Sequence, residues 1–255
     1  MFKTVNALVL REVRYKEADR ILTLLTDTDG RLTVRARGAL RKSSRTAAAT
    51  QQLTWSEMTL FGNRGRWTVN EAAVKEDFGG LRADMEKLAL GAYFAECAEA
   101  LSVEDQPDPA LLQLCLNCLY ALSRGLCPAE KIKAAFETRL MCLAGYAPEL
   151  GFCAVCGREP EDPELSLEHG RVCCRACPGM GGRAALGPDA LRAMRHLCAA
   201  PAKRLLSFQI GDEALPRLSE ASERYLLRRL ERGFSTLDYW KKLKGNTASF
   251  GKSRS

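Results

Sequence analysis

Three observations place the chain in the α+β class. Apolar and polar residues alternate with period two from Thr4 to about Glu76, the period changes to 3.6 after Phe78-Gly79-Gly80, and two Cys-x-x-Cys pairs interrupt the helical part. Together they predict an N-terminal five-stranded β-barrel of the OB or SH3 type followed by an all-α domain, with a four-cysteine knuckle of the zinc-binding kind inserted.

The candidate strands are Thr4 to Arg14, Arg20 to Thr26, Arg31 to Arg37, Leu53 to Phe61 and Arg66 to Val74. Asp27-Thr28-Asp29-Gly30 and Gly62-Asn63-Arg64-Gly65 supply the turn chemistry of short hairpins. Five short strands in so little chain fit a small closed barrel of the OB or SH3 type better than a sandwich. Helices are expected over Leu81 to Leu101, from the cap Asp108-Pro109 to Gly125, from Pro128 to about Leu143, from Gly187-Pro188-Asp189 to about Leu197, from about Leu215 to Arg232, and over Thr236 to Leu243. The resulting division is 1–80 for the barrel, 81–148 and 185–243 for the two parts of the helical domain, 149–184 for the knuckle, and 244–255 for a disordered basic tail.

In the knuckle, Cys153-x-x-Cys156 and Cys174-x-x-Cys177 are separated by 17 residues, the spacing of a four-thiolate structural zinc site. Four ligands leave no open position for a substrate. Thiol redox chemistry is the other use of such pairs. Cys173 competes with Cys174 for the third position, although only Cys174 completes Cys-x-x-Cys with Cys177, and His169 lies between the pairs as a possible substitute ligand. Cys115 and Cys118 also form Cys-x-x-Cys, but among Leu111, Leu112, Leu114 and Leu119 they read as core. The odd total of 11 cysteines and the absence of a recognisable signal peptide argue against a secreted disulfide framework and for the cytoplasm. No apolar run reaches the length of a membrane span.

The net charge of +7 is unevenly spread. Residues 1–80 hold 14 Lys and Arg against 9 Asp and Glu, and residues 241–255 hold five bases and no acid. Between Asp29 and Glu57 there are six bases, Arg31, Arg35, Arg37, Arg41, Lys42 and Arg45, and no acid. Arg35 and Arg37 share one strand face, and Arg41, Lys42 and Arg45 follow on a flexible Ser-rich loop. Such a row can track a phosphate backbone. Arg14, Lys16 and Arg20 complete the candidate nucleic-acid-binding set. Trp55 and Trp67 lie on barrel strands, where core packing competes with base stacking.

No nucleophile and base can be paired, and Gly251-Lys252-Ser253 lacks the spacing of a phosphate loop. A non-enzyme without a small-molecule substrate is expected. A protein-interaction adaptor and an RNA-binding barrel are the rival readings.

Tyr15-Lys16-Glu17-Ala18-Asp19-Arg20, Asp29-Gly30-Arg31-Leu32, Ala36-Arg37-Gly38-Ala39 with Arg41-Lys42-Ser43-Ser44-Arg45, and the two cysteine pairs come in an order and spacing that resembles the bacterial RecO family of DNA repair proteins, over nearly the whole chain to about Leu243. The resemblance implies an N-terminal OB fold, a helical domain carrying the zinc knuckle, and no catalytic site. It further implies binding of single- and double-stranded DNA, strand annealing, partnership with RecR and single-stranded DNA-binding protein, and help in placing RecA on coated single strands in RecF-pathway recombinational repair at the nucleoid.

Overall fold

The computed structural model describes the backbone of residues 1–251 and the side chains of residues 1–245. Strands β1 (Phe2–Tyr15), β2 (Asp19–Thr26), β3 (Arg31–Ala36), β4 (Trp55–Asn63) and β5 (Arg66–Glu76) form a closed barrel in the order β1-β2-β3-β5-β4. Every boundary lies within two residues of the position the alternation predicts. β4 closes on β1 antiparallel along Phe2–Leu8, and β3 meets β5 in parallel at Val34↔Trp67 and Arg35↔Thr68. Val5, Ala7, Val9, Leu22, Leu24, Val34, Met58 and Leu60 fill the interior.

β1 departs from strict alternation at Ala7-Leu8-Val9-Leu10, all buried, because α2 covers the outer face of that strand. The β4–β5 hairpin turns on Arg64 (φ 49°) and Gly65 (φ 73°), the two left-handed residues that a tight hairpin turn needs.

The connection from β3 to β4 is not the flexible loop its serines suggest. Ala39, Ala49 and Leu53 are buried, Arg20 donates Nη1 to the Ala47 carbonyl at 2.9 Å and to Thr50 Oγ1 at 3.0 Å, and Ser56 Oγ donates to the Ala49 carbonyl. The burial of Ala39, Ala49 and Leu53 together with these hydrogen bonds packs it against the barrel as a chain of turns.

The chain divides into two compact units, Met1–Arg124 with Phe234–Ser255, and Gly125–Gly233. The first unit adds α1 (Gly79–Arg82), α2 (Met85–Leu101), α3 (Pro109–Arg124) and α7 (Ser235–Gly251) to the barrel. The helix expected from Leu81 breaks before Met85, because Asp84 caps α2 by accepting from the Glu86 and Lys87 amides. α2 is buried on most sides, between β1, α3 and α7, rather than showing one apolar stripe. The Asp108 carboxylate caps α3 through the Leu111 amide. Cys115 and Cys118 are core residues, and burial pushes the Cys115 thiol up to about 12. The last helix runs past Leu243 to Gly251, so the backbone of the first part of the expected tail is helical. Residues 252–255 lie outside the described residues.

The second unit holds α4 (Ala129–Leu143), a small sheet of β6 (Pro163–Ser166), β7 (Arg171–Cys174) and β8 (Arg183–Ala185) in the order β7-β6-β8, then α5 (Gly187–Ala199) and α6 (Ala214–Leu230). Glu159, Glu161 and Asp162 are exposed as expected, but Pro163 opens β6 instead of ending a loop. Gly170, at φ 65° in the β6–β7 turn, is buried, and a Cβ there would fall 2.3 Å from Tyr225 Oη. Only glycine lets this turn seat on α6. Among the described residues, no helix is long and apolar enough to cross a membrane.

Candidate nucleic-acid interface and metal centre

On the barrel, β2, β3, the end of β1 and the β4–β5 hairpin enclose a groove of about 740 Å³ lined by Tyr15, Ile21, Thr33, Arg35, Arg37, Phe61, Arg64, Arg66 and Trp67, among others. An adjoining depression of about 530 Å³ shares Arg35 and Arg37 and adds Asp19, Gly38 and Arg41. The pleat explains the lining. Leu32, Val34 and Ala36 of β3 point into the barrel, so Thr33, Arg35 and Arg37 point out.

The eight predicted cations fall into distinct settings. Arg37, Arg41, Lys42 and Arg45 are exposed, and among the described residues no acid lies within ion-pair distance of any of them. Arg14 and Lys16 are exposed at the β1–β2 turn. Arg35 lines the groove but is held by Asp19, with Nε at 2.8 Å and Nη2 at 2.5 Å from Oδ2, and its guanidinium stacks 5.2 Å from the Tyr15 ring. Asp19 also accepts from the Gly38 amide at 2.7 Å, and that bond together with Arg35 holds its carboxyl below the usual range. The pair is close to neutral, so the surplus positive charge comes from Arg37, Arg64 and Arg66 in the groove and Arg41 in the adjoining depression. Arg20 is turned inward, 3.5 Å from Glu12 and bonded to the Ala47 carbonyl, and braces the β3–β4 connection.

Sequence reasoning missed Arg64 and Arg66. They flank a hairpin tip that the turn residues did predict, but a charged tip is ordinarily just solvated, and no pattern joins it to β3. Trp67 and Trp55 are half-buried. Lys3 Nζ sits 4.0 Å from the Trp67 ring centre, and the ring fills the space over Gly62. Tyr15 and Phe61 expose 41% and 38% of their surface, which leaves two aromatic faces beside the guanidinium groups.

The four predicted cysteines come together in the second unit. All four sulfurs lie within 4.8 Å of one another, with Cys153–Cys177 and Cys156–Cys174 at 3.8 Å. A tetrahedron with metal–sulfur bonds of ~2.3 Å has edges of about 3.8 Å, so the cluster fits a structural metal ion. Amides of Val155 and Cys174 donate to Cys153 Sγ, and the Glu161 amide donates to Cys174 Sγ.

Burial raises the Cys153 thiol, but backbone amides outweigh that and draw it down to about 6, while burial and the neighbouring thiols push Cys177 up to about 12. A first negative charge in the cluster holds the next proton on, and a cation at the centre would remove that opposition.

Arg183 braces the second knuckle from outside, donating to the Met180 and Cys177 carbonyls at 2.7 Å and pairing with Glu164 at 3.3 Å. Arg195 of α5 does the same for the first knuckle through the Leu150 and Gly151 carbonyls. Cys173 points away, with Sγ 3.6 Å from the Glu164 carbonyl, so Cys174 is the third member. His169 bonds Ser166 Oγ and is not in the cluster.

Two family models match the chain, one described as Recombination protein O N terminal over residues 1–78 and one as Recombination protein O C terminal over residues 82–238. Among curated relatives, a protein named DNA repair protein RecO from Acetivibrio thermocellus is 34% identical over 240 residues, covering 93% of this chain and 96% of that one. Those of the same name from Desulforudis audaxviator and Alkaliphilus metalliredigens are 41% identical over 68% of this chain and 28% identical over 95% of it, covering 69% and 100% of their own lengths.

Proposed function

The chain belongs to the recombination protein O family, and from that premise we propose that it is a DNA-binding recombination mediator that anneals complementary strands. The observation that carries this reading is the barrel groove, where exposed guanidinium groups without acid partners stand beside exposed aromatic faces. Bringing two strands together requires relief of phosphate repulsion. Arg37, Arg41, Lys42, Arg45, Arg14 and Lys16, joined by Arg64 and Arg66, supply it without reading base edges, while Tyr15 and Phe61 offer stacking surfaces that tolerate any base. Arg35 and Arg20 act as positioning groups, the first orienting Tyr15 and the second holding the β3–β4 connection.

In this reading the metal is zinc, held by Cys153, Cys156, Cys174 and Cys177, and its role is structural. The protein is not an enzyme. It works in the cytoplasm at the nucleoid on single- and double-stranded DNA, with RecR and single-stranded DNA-binding protein as partners, and helps to load RecA in RecF-pathway repair.

A competition titration tests the reading. Full-length protein bound to a fluorescent single-stranded DNA oligomer is challenged with unlabelled single-stranded DNA, duplex DNA or RNA of the same sequence. Displacement by both DNA forms, with single-stranded DNA at least as effective as RNA, is expected. Displacement by RNA at roughly tenfold lower concentration would mark an RNA-binding barrel, and no binding of any of the three would leave only an adaptor.

A further inference from the structure

The strand pairing sets a row of side chains across the outer face of the barrel. Phe2 of β1 lies opposite Phe61 of β4, Phe61 opposite Thr68 of β5, Thr68 opposite Arg35 of β3, and Arg35 opposite Ile21 of β2. Paired residues share a face, and Phe61, Thr68, Arg35 and Ile21 all line the groove, so the row crosses the groove and ends on Phe2. Four interstrand steps of ~4.8 Å make it about 19 Å long on the barrel surface. The two rings at its end pack together, with centroids 5.0 Å apart and planes at 49°, and both stay exposed, Phe2 by 59%. Because β3 and β5 run parallel, Arg37, two residues after Arg35, and Arg66, two residues before Thr68, flank the row on opposite sides.

We propose that the Phe2–Phe61 pair makes the groove selective for single strands, by receiving unpaired bases that a duplex does not offer. The inference rests on the reading of the groove as a DNA-binding surface, and it adds the group that tells one form of DNA from the other. A guanidinium attracts the phosphates of either form, so Arg37 and Arg66 do not discriminate. Phenylalanine carries no charge, donor or acceptor. Its ring contributes only through contact with another apolar surface, and on DNA the largest such surface is the face of a base. In a duplex each base face is covered by its neighbours in the stack, and only base edges, sugars and phosphates meet a protein. In a single strand the bases can turn out of the stack. A strand lying along the row then has ring faces beneath its bases at one end and a guanidinium on either side for its phosphates. A row of this length takes about four nucleotides, the small end of the range for barrels of this kind.

Fluorescence anisotropy with the full-length protein tests this, using a labelled thymidine oligomer and a labelled blunt duplex of the same length. Phe61→Ala is expected to raise the single-strand Kd about tenfold, and the double variant with Phe2→Ala to raise it further. The duplex Kd should stay within about twofold of wild type, and the salt slope for each form should not change. Phe61→Tyr, which keeps the ring, should bind single strands as the wild type does. Phe2→Ala alone, at an exposed position, should show the same split to a smaller degree, and it carries the test if Phe61→Ala loses its fold. Wild-type single-strand affinity in the folded variants, or an equal loss on both forms of DNA with circular dichroism unchanged, would overturn the proposal. A wild-type protein that binds neither form would instead remove the DNA reading of the groove, and the selectivity with it.

Discussion

Cys174→Ser is expected to abolish metal binding and to unfold the knuckle, with the wild type holding one zinc per chain and the variant none. Isolated metal fingers owe about 10–16 kcal/mol of apparent binding free energy to the ion, and a module whose own sheet has strands of only three or four residues cannot replace a contribution of that order. Hydrogen exchange should show early loss of protection at Leu165, Val172 and Ala184, the buried residues of that sheet. Cys173→Ser is the control. Its sulfur faces the Glu164 carbonyl, so it should cost some packing and leave the zinc stoichiometry at one. Because the ligands bind as thiolates, zinc should also be lost as pH falls, in the order of decreasing pH and not the reverse. Full zinc content in Cys174→Ser, or none in Cys173→Ser, would reassign the ligand set.

Lys133→Met is expected to destabilise the second unit by about 3–5 kcal/mol, read as a lower urea midpoint. Lys133 is 1% exposed and lies between two carboxylates, 2.9 Å from Glu137 of its own helix and 2.9 Å from Glu223 of α6. Burial lowers the Lys133 ammonium, but the two carboxylates outweigh it and hold its pKa above the ordinary value. Burial pushes the Glu137 carboxyl up despite Lys133 and a hydrogen bond from Ser222. Without the ammonium, Glu137 and Glu223 repel one another in a dry interface. Replacing all three charged residues with apolar ones of similar volume should recover most of the loss, since a buried pair costs about as much desolvation as it returns in attraction. A change below about 1 kcal/mol in Lys133→Met would mean that water reaches the cluster.

The barrel was legible because its strands bury one face, and burial of one face writes a period of two into the sequence. The exception, Ala7 to Leu10, shows the limit of that rule, since a strand covered on both sides has nothing to alternate. The cysteine cluster was legible from spacing alone, because two tight turns are the only local geometry that four thiolates around one ion require. The choice of Cys174 over Cys173 rests on which side of β7 each sulfur faces, and spacing foreshadowed it.

Other features lie beyond local pattern. The Asp19–Arg35 pair joins residues 16 positions apart on neighbouring strands and sets the Arg35 guanidinium against the Tyr15 ring. Arg64 and Arg66 enter the groove only through the parallel pairing of β3 with β5, which brings Trp67 beside Val34. The strands β6 to β8 are too short to register a period at all.

The salt dependence of single-stranded DNA binding tests the central claim most directly, measured for the wild type and for a variant with Arg37, Arg41 and Arg66 replaced by alanine. These three guanidinium groups line the groove or its adjoining depression, and among the described residues none has an ion-pair partner. Each lost phosphate contact removes about 0.7 from the slope of log affinity against log salt, so the variant should bind more weakly to every sequence, with a slope shallower by about 2. An unchanged affinity and slope in a correctly folded variant would contradict the assignment of the groove to the DNA backbone.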